Sequence, residues 1–161
     1  MKNTKLNDKT RDPYLVIFRG LPGSGKSTKA RQIAEEIGGA LVIEPDALLI
    51  RRGRYEYTHE RYQEAVKNSL SMVCLAGIMG CDLIYADVLP RHEDVMAVIR
   101  MYRDGAWCAD RDRHAFTLRV ISQEISVDES LEANRHNVAE EDIRRMYRDW
   151  EEWNGEEEEE R

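Results

Sequence analysis

The stretch FRGLPGSGKST, from Phe18 to Thr28, constrains the fold of this chain more than any other feature. The apolar run YLVIF before it predicts a buried parallel strand, and the residues after Lys26 follow helical spacing. Glycines at a strand-to-helix turn can adopt a positive φ and let backbone N–H groups converge on one point, which favours an anion. The pattern G-x-x-x-x-G-K-[ST], from Gly20 to Ser27, therefore predicts a phosphate-binding P-loop, against the alternative of a surface glycine turn.

This loop predicts a site for ATP and Mg²⁺. In a P-loop the lysine, here Lys26, reaches the β- and γ-phosphates, and the hydroxyl after it, here Ser27, binds Mg²⁺. The start of the following helix adds unpaired N–H groups and a partial positive charge. The predicted ATP-binding residues are Gly20, Leu21, Pro22, Gly23, Ser24, Gly25, Lys26, Ser27 and Thr28.

Apolar periodicity along the rest of the chain alternates between strand and helix. Such alternation predicts an α/β fold of the P-loop NTPase type, a three-layer sandwich with a mostly parallel sheet and helices on both faces. The predicted strands are Tyr14 to Phe18, Ala40 to Ile43, Leu83 to Ala86 and Phe116 to Ile121. The predicted helices are Lys26 to Ile37, His59 to Ile78, one opened by Pro90 and a last one with Ile143, Met146, Tyr147 and Trp150 on one face.

Length and charge indicate one folded domain with polar ends. The 161 residues are enough for one domain, and we expect it to span residues 13–153. Residues 1–12 are predicted to be a polar extension and residues 154–161 a disordered acidic tail. Seven Glu and one Arg among the last eleven residues supply −6 of the net charge of −7, so the remainder is nearly neutral and compatible with a nucleic-acid partner.

Cysteine usage and hydropathy indicate the compartment. The three cysteines, Cys74, Cys81 and Cys108, have no spacing typical of a metal site or a disulfide framework. No apolar run approaches the length that spans a membrane, and the polar N-terminus does not have the pattern of a signal peptide. We therefore expect a cytoplasmic protein without a membrane partner. Its oligomeric state is not indicated by the sequence.

In a parallel α/β sheet the ligand crevice lies beyond the carboxyl ends of the strands, so the residues that follow each strand are the candidates for chemistry. Asp46, in IEPDALL, is placed to accept the proton of an attacking hydroxyl, or alternatively to cap the next helical turn. Glu44 is the next candidate for the base. Asp87, in IYADVLP, is placed to hold Mg²⁺ with Ser27, directly or through water, or alternatively to cap a turn.

Five segments together resemble the polynucleotide 5′-hydroxyl kinase family of bacteriophages: GLPGSGKST, EPDALL, RYEYTHERYQEA, IYADVLPRHEDV and IRRMYRDW. The resemblance spans roughly Tyr14 to Trp150. It implies that Lys26 and Ser27 hold the triphosphate and Mg²⁺, and that Asp46 is the general base toward the acceptor hydroxyl. It also implies that Arg135 is a lid arginine over the transferring phosphate, and that the protein works in the host cytoplasm. Zeta-toxin-type and chloramphenicol-phosphotransferase-type kinases share most of this layout.

The acceptor side departs from the family pattern. Leu49 stands where the family has an arginine, and Val88 and Leu89 replace the polar residues that usually follow the aspartate matched by Asp87. We expect the arginines close behind, Arg51, Arg52 and Arg54, to contact the acceptor together with Asp87, and the tyrosines that follow them suit base stacking. The alternative is that this stretch is a surface segment that leads into the next helix and does not contact the acceptor.

The sequence thus predicts an ATP-dependent phosphotransferase that acts on a hydroxyl of DNA or RNA. The altered acceptor positions also suit a kinase of hydroxymethylated bases in phage DNA, as part of DNA modification. Two further alternatives remain open, a small-molecule or nucleotide kinase and a nucleotide-binding module without phosphotransfer. Trp107 is a candidate either for base stacking or for a dimer interface.

Overall fold

A computed structural model describes residues 11–109 and 115–154. Its centre is a four-stranded parallel sheet with the strand order β2-β5-β1-β6. The strands of this sheet are β1 (Tyr14–Gly20), β2 (Leu41–Ile43), β5 (Leu83–Asp87) and β6 (Thr117–Gln123), and a separate two-stranded ribbon consists of β3 (Ile50–Arg51) and β4 (Arg54–Tyr55). The helices are α1 (Lys26–Ile37), a 3₁₀ helix (Pro45–Leu49), α2 (His59–Met79), α3 (His92–Ala109), α4 (Val127–Glu132) and α5 (Glu140–Arg148).

Strand β1 is an inner strand of the sheet. It pairs in parallel with β5 on one side and with β6 on the other, from Leu15↔Leu83 to Arg19↔Asp87 and from Tyr14↔Thr117 to Gly20↔Gln123. Because it is covered on both faces, every residue from Leu15 to Gly20 is buried, as the continuous apolar run predicts. The carboxyl ends of β1, β2 and β5 therefore lie side by side at one edge of the sheet.

Two apolar layers sandwich the sheet, which confirms the predicted fold class. On one face, Val16, Phe18 and Ile84 pack against Ala30 and Ala34 of α1. On the other face, a larger cluster joins the sheet to α2 and α3, with the members Leu15, Ile17, Ile43, Val73, Ala76, Leu83, Tyr85, Leu89, Val95, Val98, Ile99 and Tyr102. No helix among residues 11–109 and 115–154 is long and apolar enough to cross a membrane.

Helices α2 and α3 approach each other very closely, and this explains why the buried face of α2 consists mainly of small residues. A Cβ at Gly77 would lie 2.2 Å from the carbonyl oxygen of Tyr102, and one at Gly105 would lie 2.1 Å from that of Cys74. The buried stripe of α2 accordingly consists of small residues and Val73, namely Ala65, Ser69, Val73, Ala76 and Gly77. The larger side chains of Val66 and Leu70 are only partly buried, and Leu70 packs against the core cluster.

The boundaries of several elements differ from the prediction by one or two residues. Helix α3 begins at His92 and not at Pro90, β6 runs to Gln123, and α5 ends at Arg148 before Trp150. On α5, Arg144 pairs with Glu140, and Arg145 pairs with Asp142. The predicted extension 1–12 and tail 154–161 lie almost entirely outside the described residues.

A buried arginine at the end of β1 is covered by residues from the end of the described chain. Arg19 is fully buried, and its Nη2 donates to the carbonyl oxygens of Pro90 at 2.9 Å and Glu151 at 2.8 Å. Its guanidinium lies 4.1 Å from the centre of the Trp150 ring, and burial lowers its pKa. Among the described residues, its Nε and Nη1 find no hydrogen-bond partner. The residues after α5 thus pack against the strand that leads into the P-loop.

Candidate active site

The P-loop joins β1 to α1 at the carboxyl edge of the sheet. Gly23 and Gly25 have φ values of 77° and 82°, in the left-handed region that favours glycine. The side chain of Ser24 is buried, and its Oγ has no hydrogen-bond partner in the described part of the chain. Helix α1 begins at Lys26 with Gly25 as its N-cap, and no side chain caps its free N–H groups. The loop therefore offers unused donors, which fits the prediction of a phosphate cradle.

Lys26 lies over this loop and connects it to the acidic residues of the neighbouring strands. Its Nζ donates to the carbonyl oxygen of Leu21 at 3.0 Å. Burial lowers the pKa of Lys26, and the carboxylates of Asp87, Asp46 and Glu44 raise it in the opposite direction. One ammonium group thus feels all three carboxylates predicted from the strand ends.

Asp87 is the last residue of β5 and is almost completely buried. Its carboxylate accepts a hydrogen bond from the Tyr62 hydroxyl at 2.9 Å and one from the backbone N–H of Val88 at 2.8 Å. Burial, and then the negative charge of Asp46, raise the pKa of Asp87 to about 6, while these two hydrogen bonds and Lys26 oppose the rise. The ionised form of Asp87 is therefore destabilised, and a cation bound nearby would stabilise it.

Asp46 lies in the first turn of the 3₁₀ helix after β2 and is half-buried. Its Oδ1 accepts a hydrogen bond from the hydroxyl of Tyr55 at 3.0 Å. The residue at the N-cap position of this helix is Glu44, which makes no side-chain cap and instead pairs with Arg31 at 3.1 Å. Asp46 is therefore not the N-cap that was its alternative reading, and Glu44 is already engaged by a cation.

The ribbon β3–β4 follows directly and has two chemically different faces. Arg52 and Gly53 form its turn, both with positive φ, as in the type I′ turns that join short hairpins. Ile50 pairs with Tyr55 and Arg51 with Arg54. Since side chains alternate across a strand, the Tyr55 face is opposite the face that carries Arg51 and Arg54. All three arginines are exposed.

The α4–α5 segment, residues 127–148, packs onto the P-loop from β6. The Ser130 hydroxyl donates to the carbonyl oxygen of Pro22 at 2.7 Å. A Cβ at Gly23 would lie 2.6 Å from the Cβ of Ala133, so only glycine permits this contact as well as the turn. Arg135 is exposed in the loop between α4 and α5. Beside it, His136 stacks on the ring of Tyr55, with ring centres 4.4 Å apart.

Comparisons with known proteins agree with this arrangement of the sheet and the loop. A family model described as an AAA domain matches residues 15–81, which include the P-loop, the Asp46 turn and all of α2. A Pnkp1/Rnl/Hen1 RNA repair complex contains a chain that superposes with a TM-score of 0.65 and 16% identity, over 89% of this chain and 45% of that one.

Two further solved structures belong to the same group of folds. A gluconokinase from Sinorhizobium meliloti superposes with a TM-score of 0.55 and 18% identity, over 91% of this chain and 79% of that one. An APS kinase from Mycobacterium tuberculosis, in complex with AMPPNP and APS, superposes with a TM-score of 0.55 and 16% identity. The match covers 78% of this chain and 70% of that one. This chain has a P-loop kinase-like fold. It spans less than half of the RNA repair chain that it matches.

Within the P-loop kinase-like fold, the predicted residues fall into two groups. Lys26, Asp46 and Asp87 come together at the carboxyl edge of the sheet, as their electrostatic coupling shows. Ser27 is half-buried in the first turn of α1, at the same end of the sheet. Outside this group, Arg51, Arg52 and Arg54 are exposed on the β3–β4 ribbon, and Arg135 is exposed in the loop between α4 and α5.

Sequence reasoning missed the side chains that hold the two aspartates. It assigned the tyrosines of RRGRYEYTHERY to base stacking, but the hydroxyls of Tyr55 and Tyr62 are bonded to Asp46 and Asp87. His136 and Ser130 were also missed, because their contacts are with residues distant in the chain. One local signal was available: Ser126 and Glu129 form a capping box, which marks the start of α4.

Proposed function

We propose that this protein is an ATP-dependent kinase that transfers the γ-phosphate to a hydroxyl group of a polynucleotide. The observation that carries the proposal is that Lys26, Asp46 and Asp87 converge beside the P-loop, with an exposed arginine ribbon directly after Asp46. A phosphotransferase needs a phosphate cradle, a base for the acceptor and a metal-binding carboxylate in one place. A module that only binds nucleotide does not need the half-buried carboxylate of Asp46.

The P-loop residues fit a bound triphosphate. The left-handed Gly23 and Gly25, the unpartnered Oγ of Ser24 and the uncapped start of α1 all offer space or donors for phosphate oxygens. Ser27 and Asp87 would hold Mg²⁺, directly or through water, and a nearby cation would favour the ionised form of Asp87. ATP with Mg²⁺ would supply the phosphoryl group and neutralise part of its charge.

We assign the remaining steps of the transfer to three side chains of the protein. Lys26 leaves the carbonyl oxygen of Leu21 and donates to the β- and γ-phosphates. Asp46 orients the acceptor hydroxyl and takes its proton as the oxygen bonds to phosphorus and the bond to ADP breaks. Arg135 donates to the transferring group from the α4–α5 segment. The product is a phosphomonoester on the acceptor.

The ribbon supports a polymeric acceptor. Three exposed guanidinium groups within four residues, all directly beyond Asp46, suit several phosphates of a nucleic-acid strand better than one small molecule. Because Arg51 and Arg54 lie on the face opposite Tyr55, they would contact the strand away from the reacting end. The similarity to a chain of an RNA repair complex favours the same class of acceptor.

An acceptor panel tests the proposal. The protein is incubated with ATP labelled in the γ-phosphate, Mg²⁺ and, separately, 5′-hydroxyl DNA, 5′-hydroxyl RNA, DNA with hydroxymethylated bases, free nucleosides and a sugar acid. We expect label on a polynucleotide, and none when Lys26→Ala protein is used. Label on the hydroxymethylated bases alone would identify the DNA-modifying alternative. Label only on a nucleoside or the sugar acid would make the protein a small-molecule kinase, and no label on any acceptor would contradict the proposed function.

A further inference from the structure

One side chain joins the candidate base to the loop that carries Arg135. The hydroxyl of Tyr55 donates to Asp46 at 3.0 Å, and the ring of the same residue stacks on His136, with an angle of 28° between the ring planes. Tyr55 comes from the ribbon, Asp46 from the 3₁₀ helix and His136 from the loop between α4 and α5. Three elements that are separate in the fold therefore meet at one phenol.

The chemistry of this phenol suits a permanent donor. Tyr55 is half-buried, and burial, followed by the charge and hydrogen bond of Asp46, raises its pKa well above the ordinary value. The group therefore stays protonated at every pH at which the enzyme would work. A donor to one carboxylate oxygen leaves the other oxygen to face an acceptor hydroxyl.

The loop that carries His136 is a defined structure. The side-chain amide of Asn134 donates to the carbonyl oxygen of Val138 at 2.7 Å, and its oxygen accepts from the N–H of Val138 at 3.1 Å. These two bonds close a loop of five residues, 134–138, in which Arg135 and His136 are neighbours. On its other side, the α4–α5 segment is bound to the P-loop through Ser130 and Pro22. Where His136 lies thus determines where Arg135 lies.

We propose that Tyr55 is a positioning residue that holds Asp46 in its reactive orientation, and that its stack with His136 fixes the 134–138 loop over the site. This inference rests on the proposed function, since it assigns a support to the base of that reaction. It gives Tyr55 and His136 a role in phosphate transfer without contact to the substrate.

Two substitutions separate the two contacts of Tyr55. Tyr55→Phe removes the hydroxyl and keeps the ring, so we expect kcat to fall about tenfold or more, the usual effect of a hydrogen bond to a charged group, with the KM for ATP nearly unchanged. His136→Ala removes the stack and keeps the hydrogen bond, so we expect a smaller fall in kcat, about two- to tenfold. His136→Phe restores a flat ring and should recover most of that loss. Tyr147→Phe, at an exposed position of α5, is the matched control.

Hydrogen exchange tests the loop without relying on turnover. Amides in residues 134–138 should exchange about two- to tenfold faster in His136→Ala and return toward the wild-type rate in His136→Phe. Tyr55→Phe should leave these rates unchanged while it lowers kcat. A merely structural role for Tyr55 would instead change exchange and melting temperature together with kcat.

Each outcome decides the inference. If Tyr55→Phe keeps kcat within twofold of the wild type, Tyr55 does not position Asp46. If His136→Ala changes neither kcat nor exchange in residues 134–138, the stack does not fix the loop. If the wild-type protein labels no acceptor, the proposed function and the positioning role fall together. In that case unchanged exchange in His136→Ala would overturn the loop contact as well, whereas faster exchange would retain it.

Discussion

The two halves of the candidate site are built in different ways. The nucleotide side, which consists of the P-loop and Asp87, is attached to β1 and β5, and its backbone is fixed by the parallel ladder and the buried core. The acceptor side, which consists of the Asp46 turn, the ribbon and the 134–138 loop, uses short exposed elements joined by single side-chain contacts. The position of the first half is therefore supported by many backbone hydrogen bonds and core contacts. The second half is held by a few side-chain contacts, each of which a single substitution can remove.

The largest expected effect comes from the nucleotide side. Lys26→Ala removes the cation that would reach the β- and γ-phosphates, and we expect turnover to fall by about 10³- to 10⁵-fold, the range for a charge that stabilises phosphoryl transfer. The melting temperature should hardly change, because the Lys26 bond to Leu21 is not part of the core. Steady-state kinetics and thermal unfolding measure both quantities.

Lys29→Ala, at an exposed position of the same helix, is the matched control for this variant. Near-normal phosphate transfer by Lys26→Ala would show that the P-loop lysine is not the phosphate contact that we propose.

On the acceptor side, Asp46→Asn should lower kcat by about 10²- to 10⁴-fold, as expected for loss of a positioned general base. ATP affinity and stability should stay close to those of the wild type, because the amide oxygen of Asn can still accept the hydrogen bond from Tyr55. Rapid-quench or steady-state assays give kcat, and equilibrium titration gives the ATP affinity.

Asp104→Asn, at an exposed position of α3, is the control for Asp46→Asn and for the Asp87→Asn variant described next. An Asp46→Asn protein that melts earlier but keeps its kcat would assign Asp46 a structural role, and Glu44, despite its pairing with Arg31, would be the next residue to test.

Because Asp87 is buried, we expect it to make the unfolding free energy of the protein depend on pH. Its pKa is about 6 in the folded protein against 3.8 in the unfolded chain, so the folded state loses stability as the pH rises from about 4 through 6. Asn does not titrate. The unfolding free energy of Asp87→Asn relative to the wild type should therefore rise across this window by on the order of 3 kcal/mol, measured by urea unfolding of the metal-free protein. A difference that is independent of pH would contradict the burial of this carboxylate.

The smallest effect is expected at the ribbon. Replacement of Arg51, Arg52 and Arg54 by Gln should raise the KM for a polynucleotide acceptor more than the KM for ATP. In the wild type a fourfold rise in salt should weaken a strand held by three phosphate contacts about 20-fold, and the variant should lose this dependence. Replacement of Lys67, Arg100 and Arg103, on α2 and α3, removes the same charge elsewhere and is the control. Equal effects on both KM values would favour a small acceptor.

What could be predicted from the sequence follows the same division. The P-loop, β1 and α1 are specified by adjacent residues, so pattern and spacing were enough to place Lys26 and Ser27. Asp46 and Asp87 could be predicted to lie near Lys26 because the carboxyl ends of parallel strands meet at one edge of a sheet. The domain limits were not tested, since most of the chain outside them lies beyond the described residues.

The supports of the acceptor side could not be predicted, because they are contacts between distant residues. Nothing near Tyr55 in the chain indicates that His136 stacks on it, and nothing near Gly23 indicates that Ala133 closes on it. Tyrosines among arginines are typical of nucleic-acid contact, and that general pattern concealed hydrogen bonds to the two aspartates. Only a three-dimensional arrangement distinguishes a stacking ring from a hydrogen-bond donor.

The covering of Arg19 has a consequence for how the chain matures during synthesis. The arginine precedes the P-loop directly, yet one of its hydrogen-bond partners, Glu151, is synthesised 132 residues later. Until that residue and Trp150 are synthesised, the guanidinium at the end of the central strand lacks its second carbonyl partner and the aromatic ring that covers it. The sheet can therefore begin to form during synthesis, but the strand that leads to the P-loop reaches its final environment only after Trp150 and Glu151 have been made.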